Sequence, residues 1–68
     1  MVEITTYEES ILRVLLKSRH SLTAGAIAKS SGLSWNTVDK YLHIMEDKGW
    51  VRNLSGYWRA IVKEEYLE

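Results

Sequence analysis

Sixty-eight residues with a formal net charge of zero and no cysteine exclude several classes at once. Disulfides and thiolate metal sites are out, and His20 and His43 have no ligand-like spacing around them. No stretch approaches the roughly 18 apolar residues of a membrane span, and no signal peptide opens the chain, so a single soluble, cytoplasmic domain over residues 1–68 is expected.

The first helix is predicted to begin after Thr6, with Thr6 and Glu9 forming a capping box, and to run to about Ser18. Its apolar residues Ile11, Leu12, Val14, Leu15 and Leu16 cover an arc of roughly 200°, wider than a one-sided amphipathic helix needs. Part of that arc should meet the core and part a partner's helix or the C-terminal tail. Ser21-Leu22 reads as a short extended piece. Thr23 then caps a second helix rich in small residues (Ala24, Ala26, Ala28), and Gly32 suits the left-handed position that ends it. Ser34 caps a third helix, which runs to Lys48 before Gly49 stops it. Ile27, Leu33, Val38, Leu42 and Met45 fall where two steeply crossing helices press together, which is the pattern of a helix-turn-helix over 23–48. Two strand-like runs, Trp50–Leu54 and Tyr57–Val62, flank Ser55-Gly56 and read as a hairpin over 50–62. Lys63–Glu68 reads as a frayed helical turn carrying Tyr66 and Leu67.

The zero net charge is unevenly spread. Residues 1–12 carry Glu3, Glu8 and Glu9, a balance of −3; residues 13–59 carry eight basic side chains against Asp39, Glu46 and Asp47, a balance of +5. Residues 60–68 carry Lys63 against Glu64, Glu65 and Glu68, a balance of −2. The basic part is therefore the middle of the chain, which holds the helix-turn-helix, and phosphate responds to the local field rather than to the total. A chain this short buries only about 60% of its unfolded surface. With disulfides and metals excluded, oligomerisation is the staple left, and a homodimer is expected.

On the third helix, Val38, Tyr41, Leu42 and Met45 share the core face, whereas Asn36, Thr37, Lys40 and His43 point the other way. Only the first turns of a recognition helix reach base edges, so Ser34, Asn36, Thr37 and Lys40 rank ahead of His43 as DNA contacts. Asn can read adenine, and Lys guanine or a phosphate. Ser34 and Thr23 sit at helix N-termini that favour phosphate, each with a plain reading as a cap. The helical angle of Trp35 favours core or rim packing, with contact to a sugar or a thymine methyl as the alternative. Asp39 would repel phosphate unless it orients Lys40 or Arg52 or accepts from a cytosine amino group. Ile44 points away from the expected core.

In the hairpin, a connection at Ser55-Gly56 sets Asn53 opposite Trp58 and Arg52 opposite Arg59 on the solvent face. Like charges directly opposite are destabilising, an arrangement that makes sense with a phosphate between them; a one-residue slip in register would separate the two. Val51, Trp58, Ala60 and Val62 would then pack on the helices. Nothing in the chain resembles a nucleophile-base pair, a carboxylate cleft or a Gly-rich phosphate loop, so neither an enzyme nor a cofactor is expected. Glu8-Glu9 and Glu64-Glu65 read as solvated helix charge.

From Tyr7 to Val62 the order helix, short strand, helix, helix, hairpin resembles the winged-helix DNA-binding domains, and most nearly small MarR-like bacterial and archaeal transcription regulators. Ile27-Ala28, Gly32-Leu33-Ser34, Thr37-Val38, Leu42, Met45 and Gly49-Trp50-Val51 carry the resemblance. It implies an α+β fold: a winged helix-turn-helix in which a three-helix bundle is followed by a two-stranded wing. It further implies sequence-specific binding of double-stranded DNA by a nucleoid-associated regulator. The third helix would enter the major groove, and Arg52 and Arg59 of the wing would lie on the backbone. A repressor acting as a homodimer is the expected form, and the compact size resembles stand-alone regulators of archaea, their plasmids or viruses. This chain departs from the family in its short wing, in Asp39 on the recognition helix and in lacking long dimerisation helices. The other reading is a winged helix used for protein contact in a transcription or chromatin assembly, favoured by zero net charge and by Ile44, Trp35 and Tyr66, which are expected to be exposed.

Overall fold

The computed structural model describes residues 4–62. Three helices, α1 (Thr6–Lys17), α2 (Ala24–Ser31) and α3 (Trp35–Asp47), precede an antiparallel hairpin of β1 (Val51–Leu54) and β2 (Tyr57–Ala60). This is the expected α+β winged helix-turn-helix.

Local chemistry explains most of the boundaries. Thr23 and Ser34 cap α2 and α3, their hydroxyls accepting from the N–H groups of Ala26 and Thr37. Gly32 closes α2 with φ 77°, and its N–H donates to the Ala28 carbonyl. At the far end of α3 the Trp50 N–H donates to the Met45 carbonyl and the Gly49 N–H to that of Glu46. This bond pair is the Schellman motif, which satisfies the helix's last carbonyls and turns the chain into β1.

The first cap differs from expectation. Thr5, not Thr6, is the N-cap of α1, and Glu8, not Glu9, completes the capping box. The Thr5 N–H donates to Glu8 Oε1 at 3.0 Å and the Glu8 N–H to Thr5 Oγ1 at 3.1 Å. Glu8 is also no solvated charge: it is 1% exposed and accepts from Lys48 Nζ at 2.9 Å. Glu9 is the one turned outward, in an i,i+4 pair with Arg13.

The core gathers Ile11, Leu12 and Leu15 of α1, Ala24 and Ile27 of α2, Val38, Leu42 and Met45 of α3, and Val51 and Trp58 of the hairpin. The wide apolar arc of α1 divides as its angles require. Ile11, Leu12 and Leu15 are buried, while Val14 and Leu16 pack half-buried at the margin. Ile44, expected outside the core, is half-buried as well. The tail Lys63–Glu68, read as a frayed turn, lies outside the described residues.

The hairpin keeps the expected register, Arg52 with Arg59 and Asn53 with Trp58, although its strands are shorter than the sequence runs. Ser55 has φ 56° and Gly56 φ 89°, the pair of positive angles that a two-residue type I′ turn demands. Asn53 Oδ1 accepts from the Gly56 N–H at 3.0 Å and braces the turn. The extended piece at Leu22 pairs with Trp58 on the other side of β2, each N–H donating to the other's carbonyl. β2 is thus flanked on both edges, whereas among the described residues β1 pairs with β2 alone.

Candidate nucleic-acid interface

The buried side of α3 is fixed by Val38, Leu42 and Met45, each fully buried. A helix with one sealed face must turn the opposite one outward, and there Asn36, Lys40 and His43 are exposed and Thr37 is half-buried. The first turn is stiffened by its cap. Besides accepting from the Thr37 N–H at 3.2 Å, the Ser34 hydroxyl donates to Thr37 Oγ1 at 2.8 Å. Two candidate contacts are thereby held in one hydrogen-bonded unit, while Asn36 between them keeps its amide in solvent.

Trp35 departs from its favoured reading. At 53% exposure it is neither core nor well-covered rim, and it stands out from the start of α3. Asp39 also has a different partner from those considered. It faces His43, with Oδ1 3.5 Å from Nε2, while Glu46 Oε1 stands 3.8 Å from Nδ1 of the same ring. That ring and the indole of Trp58 meet at right angles, 5.4 Å between centroids, in a T-shaped contact. Lys40 Nζ lies 5.8 Å from the ring centre of Tyr41, which stacks on Tyr7 of α1 at 5.2 Å.

The alternation of an antiparallel ladder fixes the geometry of the arginine pair. Trp58 spends its N–H and carbonyl on Leu22, so Asn53 and Trp58 form a non-hydrogen-bonded pair. Arg52 and Arg59, one step along, are a hydrogen-bonded pair whose Cα atoms lie about 5.5 Å apart. Both side chains are exposed. They share the outer face of the wing with Leu54, Tyr57 and Ile61, which are 44%, 51% and 48% exposed. That apolar component on the arginine face had not been expected, although it follows from the same register by counting alternate residues.

One electrostatic tie supports the site from behind. Lys48, at the C-terminal end of α3, bonds the buried Glu8 carboxylate and sits 4.4 Å from the ring centre of Trp50. Burial pushes the Glu8 carboxyl up, but the Lys48 ammonium and the Thr5 N–H and hydroxyl together hold it below its ordinary value of 4.5. The pair pins the start of α1 to the corner between α3 and the wing. Spacing within the sequence gives no sign of it, because the partners are 40 residues apart.

Among the described residues no group of histidine and carboxylate side chains is arranged to hold a metal ion, and no helix is long and apolar enough to cross a membrane. The family model described as "Sugar-specific transcriptional regulator TrmB" matches residues 1–64. Comparison with curated proteins and with solved structures gave no match. The match runs through all three helices and the wing, and the chain belongs to the TrmB family of transcriptional regulators, whose work is DNA binding and not catalysis.

Proposed function

We propose that this chain binds double-stranded DNA as a homodimer, lays the first turns of α3 in the major groove, sets Arg52 and Arg59 on the backbone, and represses transcription by occluding a promoter. The observation that carries the reading is the outward face of α3: Asn36 and Lys40 are exposed opposite a fully buried Val38, Leu42 and Met45. Ser34 and Thr37 join them in the first turn, Trp35 flanks them, and His43 lies one turn further along. Two guanidiniums on adjacent strands suit an anionic phosphate between them.

A gel-shift or anisotropy titration against salt tests the proposal. Log affinity should fall linearly with log salt, and Arg52→Ala or Arg59→Ala should flatten the slope by about 1 each and weaken all sequences alike. Lys40→Ala should instead relax sequence preference. Unchanged affinity at low salt in both arginine variants would remove the wing from the interface. Selection from a random duplex pool should return a symmetric site with half-sites about 34 Å apart, and sedimentation should give a dimer. By the family's description, the signal to which this regulator responds would be a sugar. DNA titrations with and without a panel of mono- and disaccharides test that part.

One observation favours a second reading, a protein-contact module: Leu54, Tyr57 and Ile61 stand half-exposed on one face of the wing. Absence of any salt-dependent DNA binding would select it.

A further inference from the structure

Positive charge around the wing is left without acid to balance it. Among the described residues the basic side chains that face a carboxylate are Arg13, His43 and Lys48, and none of Arg19, Arg52 and Arg59 has such a partner. Arg59 stands between two cavities. With Arg52 it lines one of about 500 Å³ on the outer face of the wing. With Arg19 it lines a second, of about 310 Å³, between the end of α1, the loop that follows and β2. No aspartate or glutamate lines either one.

Hydrogen bonds hold the smaller cavity in shape. The Ser18 hydroxyl donates to the His20 carbonyl at 2.7 Å and accepts from the His20 N–H at 3.2 Å, closing a turn around Arg19. Just beyond, the Leu22–Trp58 bridge fastens the loop to β2. Counting back from that bridge, antiparallel pairing sets Ser21 beside Arg59 and takes His20 and Arg19 toward the base of the wing, away from the turn at Ser55-Gly56. Arg19 thus comes to Arg59 from the edge of β2 opposite to Arg52. Two guanidiniums with no acid between them suit a dianion. A carboxylate, with one charge and two oxygens, occupies a single fork, and a DNA backbone phosphate also carries one charge. A phosphomonoester carries about −1.5 to −2 at neutral pH and three acceptor oxygens, which two forks can share. Ser21, on the cavity wall, adds a hydroxyl donor. The volume lies at the lower end of the range for small-molecule sites, which fits a ligand of metabolite size.

We propose that the smaller cavity seats the phosphate group of a small phosphomonoester between Arg19 and Arg59, and that its occupancy weakens DNA binding by drawing Arg59 off the backbone. The first half stands on the cavity alone, and the second rests on the reading of the wing as a DNA contact. The bidentate fork of Arg59 fits one phosphate at a time. Ligand and DNA therefore compete for that residue, and each lowers the affinity for the other by the same factor. A regulator built this way lets go of its site when the phosphorylated compound accumulates.

Calorimetry and arginine side-chain NMR, without DNA and at constant ionic strength, test the cavity with inorganic phosphate, glucose 6-phosphate and glucose. Both phosphates should bind saturably and shift the Nε resonances of Arg19 and Arg59, and glucose should do neither. Arg19→Gln should weaken phosphate binding roughly tenfold or more, as expected for a lost charged hydrogen bond. Lys29→Gln, which removes an exposed cation of α2 outside the cavity, should leave it as in the parent protein. In a duplex titration, saturating glucose 6-phosphate should weaken DNA binding severalfold in the parent and not at all in Arg19→Gln, whose affinity without ligand should match the parent's. Absence of saturable phosphate binding, or equal losses in Arg19→Gln and Lys29→Gln, overturns the site. A loss of DNA affinity in Arg19→Gln, with no binding of free phosphate, assigns the cavity to the DNA backbone and overturns it too. Phosphate binding to which duplex affinity never responds overturns the coupling. If no duplex binds under any condition, the DNA reading falls and takes the coupling with it, while the calorimetry still decides the cavity.

Discussion

Replacing Lys48 with methionine tests whether one contact locks the wing corner to the bundle. Methionine keeps most of the apolar stem but deletes the ammonium, leaving the Glu8 carboxylate 1% exposed with the Thr5 backbone N–H still donating to it. Exposed ion pairs contribute about 0–1 kcal/mol, whereas stripping the partner from a fully buried one costs about 3–5 kcal/mol. The Lys48 side chain is 40% exposed and its carboxylate is sealed, so the value falls between, near the 1.5–3 kcal/mol (roughly) of a charged hydrogen bond. A loss of about 2 kcal/mol lowers the Tm of a domain this size by about 8–16 °C. Part of that loss comes from the contact of Lys48 with Trp50. The acid dependence separates the terms. Since Glu8 titrates below 4.5 in the folded protein, its stabilisation is complete above that value and is lost as pH falls through the depressed one. Thermal or urea melts should therefore show a wide gap between parent and variant at neutral pH, and a gap that narrows as the pH is taken further and further below 4.5. Glu8→Gln combined with Lys48→Met should lose less than the two single changes summed. A neutral-pH gap under about 0.5 kcal/mol, or one as wide in acid, would refute this account of the corner.

Other perturbations read single features. Ser55→Asn should raise stability by about 0.5 kcal/mol, seen as a Tm a few degrees higher, because Asn tolerates the φ of 56° and Asn-Gly is the preferred type I′ pair. Gly32→Ala should destabilise by about 1–2 kcal/mol in the same melts; a Cβ there meets nothing within 4 Å, so the cost is conformational and Gly32→Asn should be milder. Tyr7→Ala removes the ring stacked on Tyr41 and should cost about 0.5–1.5 kcal/mol beyond the lost area, with DNA affinity unchanged if α1 stands away from the groove.

What was legible beforehand was chemistry confined to a few neighbouring residues. Thr23, Ser34 and Gly32 mark helix ends by their own side chains or lack of one, and the Ser55-Gly56 turn sets the register that pairs Arg52 with Arg59. The first cap escaped because Thr5-Thr6 and Glu8-Glu9 offer two equal boxes, one residue apart. A partner 40 positions away, Lys48, decides between them. Trp35 was misjudged for a different reason: periodicity gives a side chain a direction but not the length of whatever might cover it. Asp39, His43 and Glu46 already stood at i,i+4 and i,i+3 spacing, yet the approach of Trp58 to that ring depends on how the hairpin lies across α3.

The pairing of Leu22 with Trp58 has a mechanical corollary. Thr23, the residue that opens α2, follows directly on a peptide unit bolted to the middle strand of the wing. A load applied at the arginines is thus transmitted along the backbone to the root of α2, without passing through any side chain. Wing and helix pair are thereby tied through main chain as well as through the core, and displacing either one strains the Leu22–Trp58 bridge.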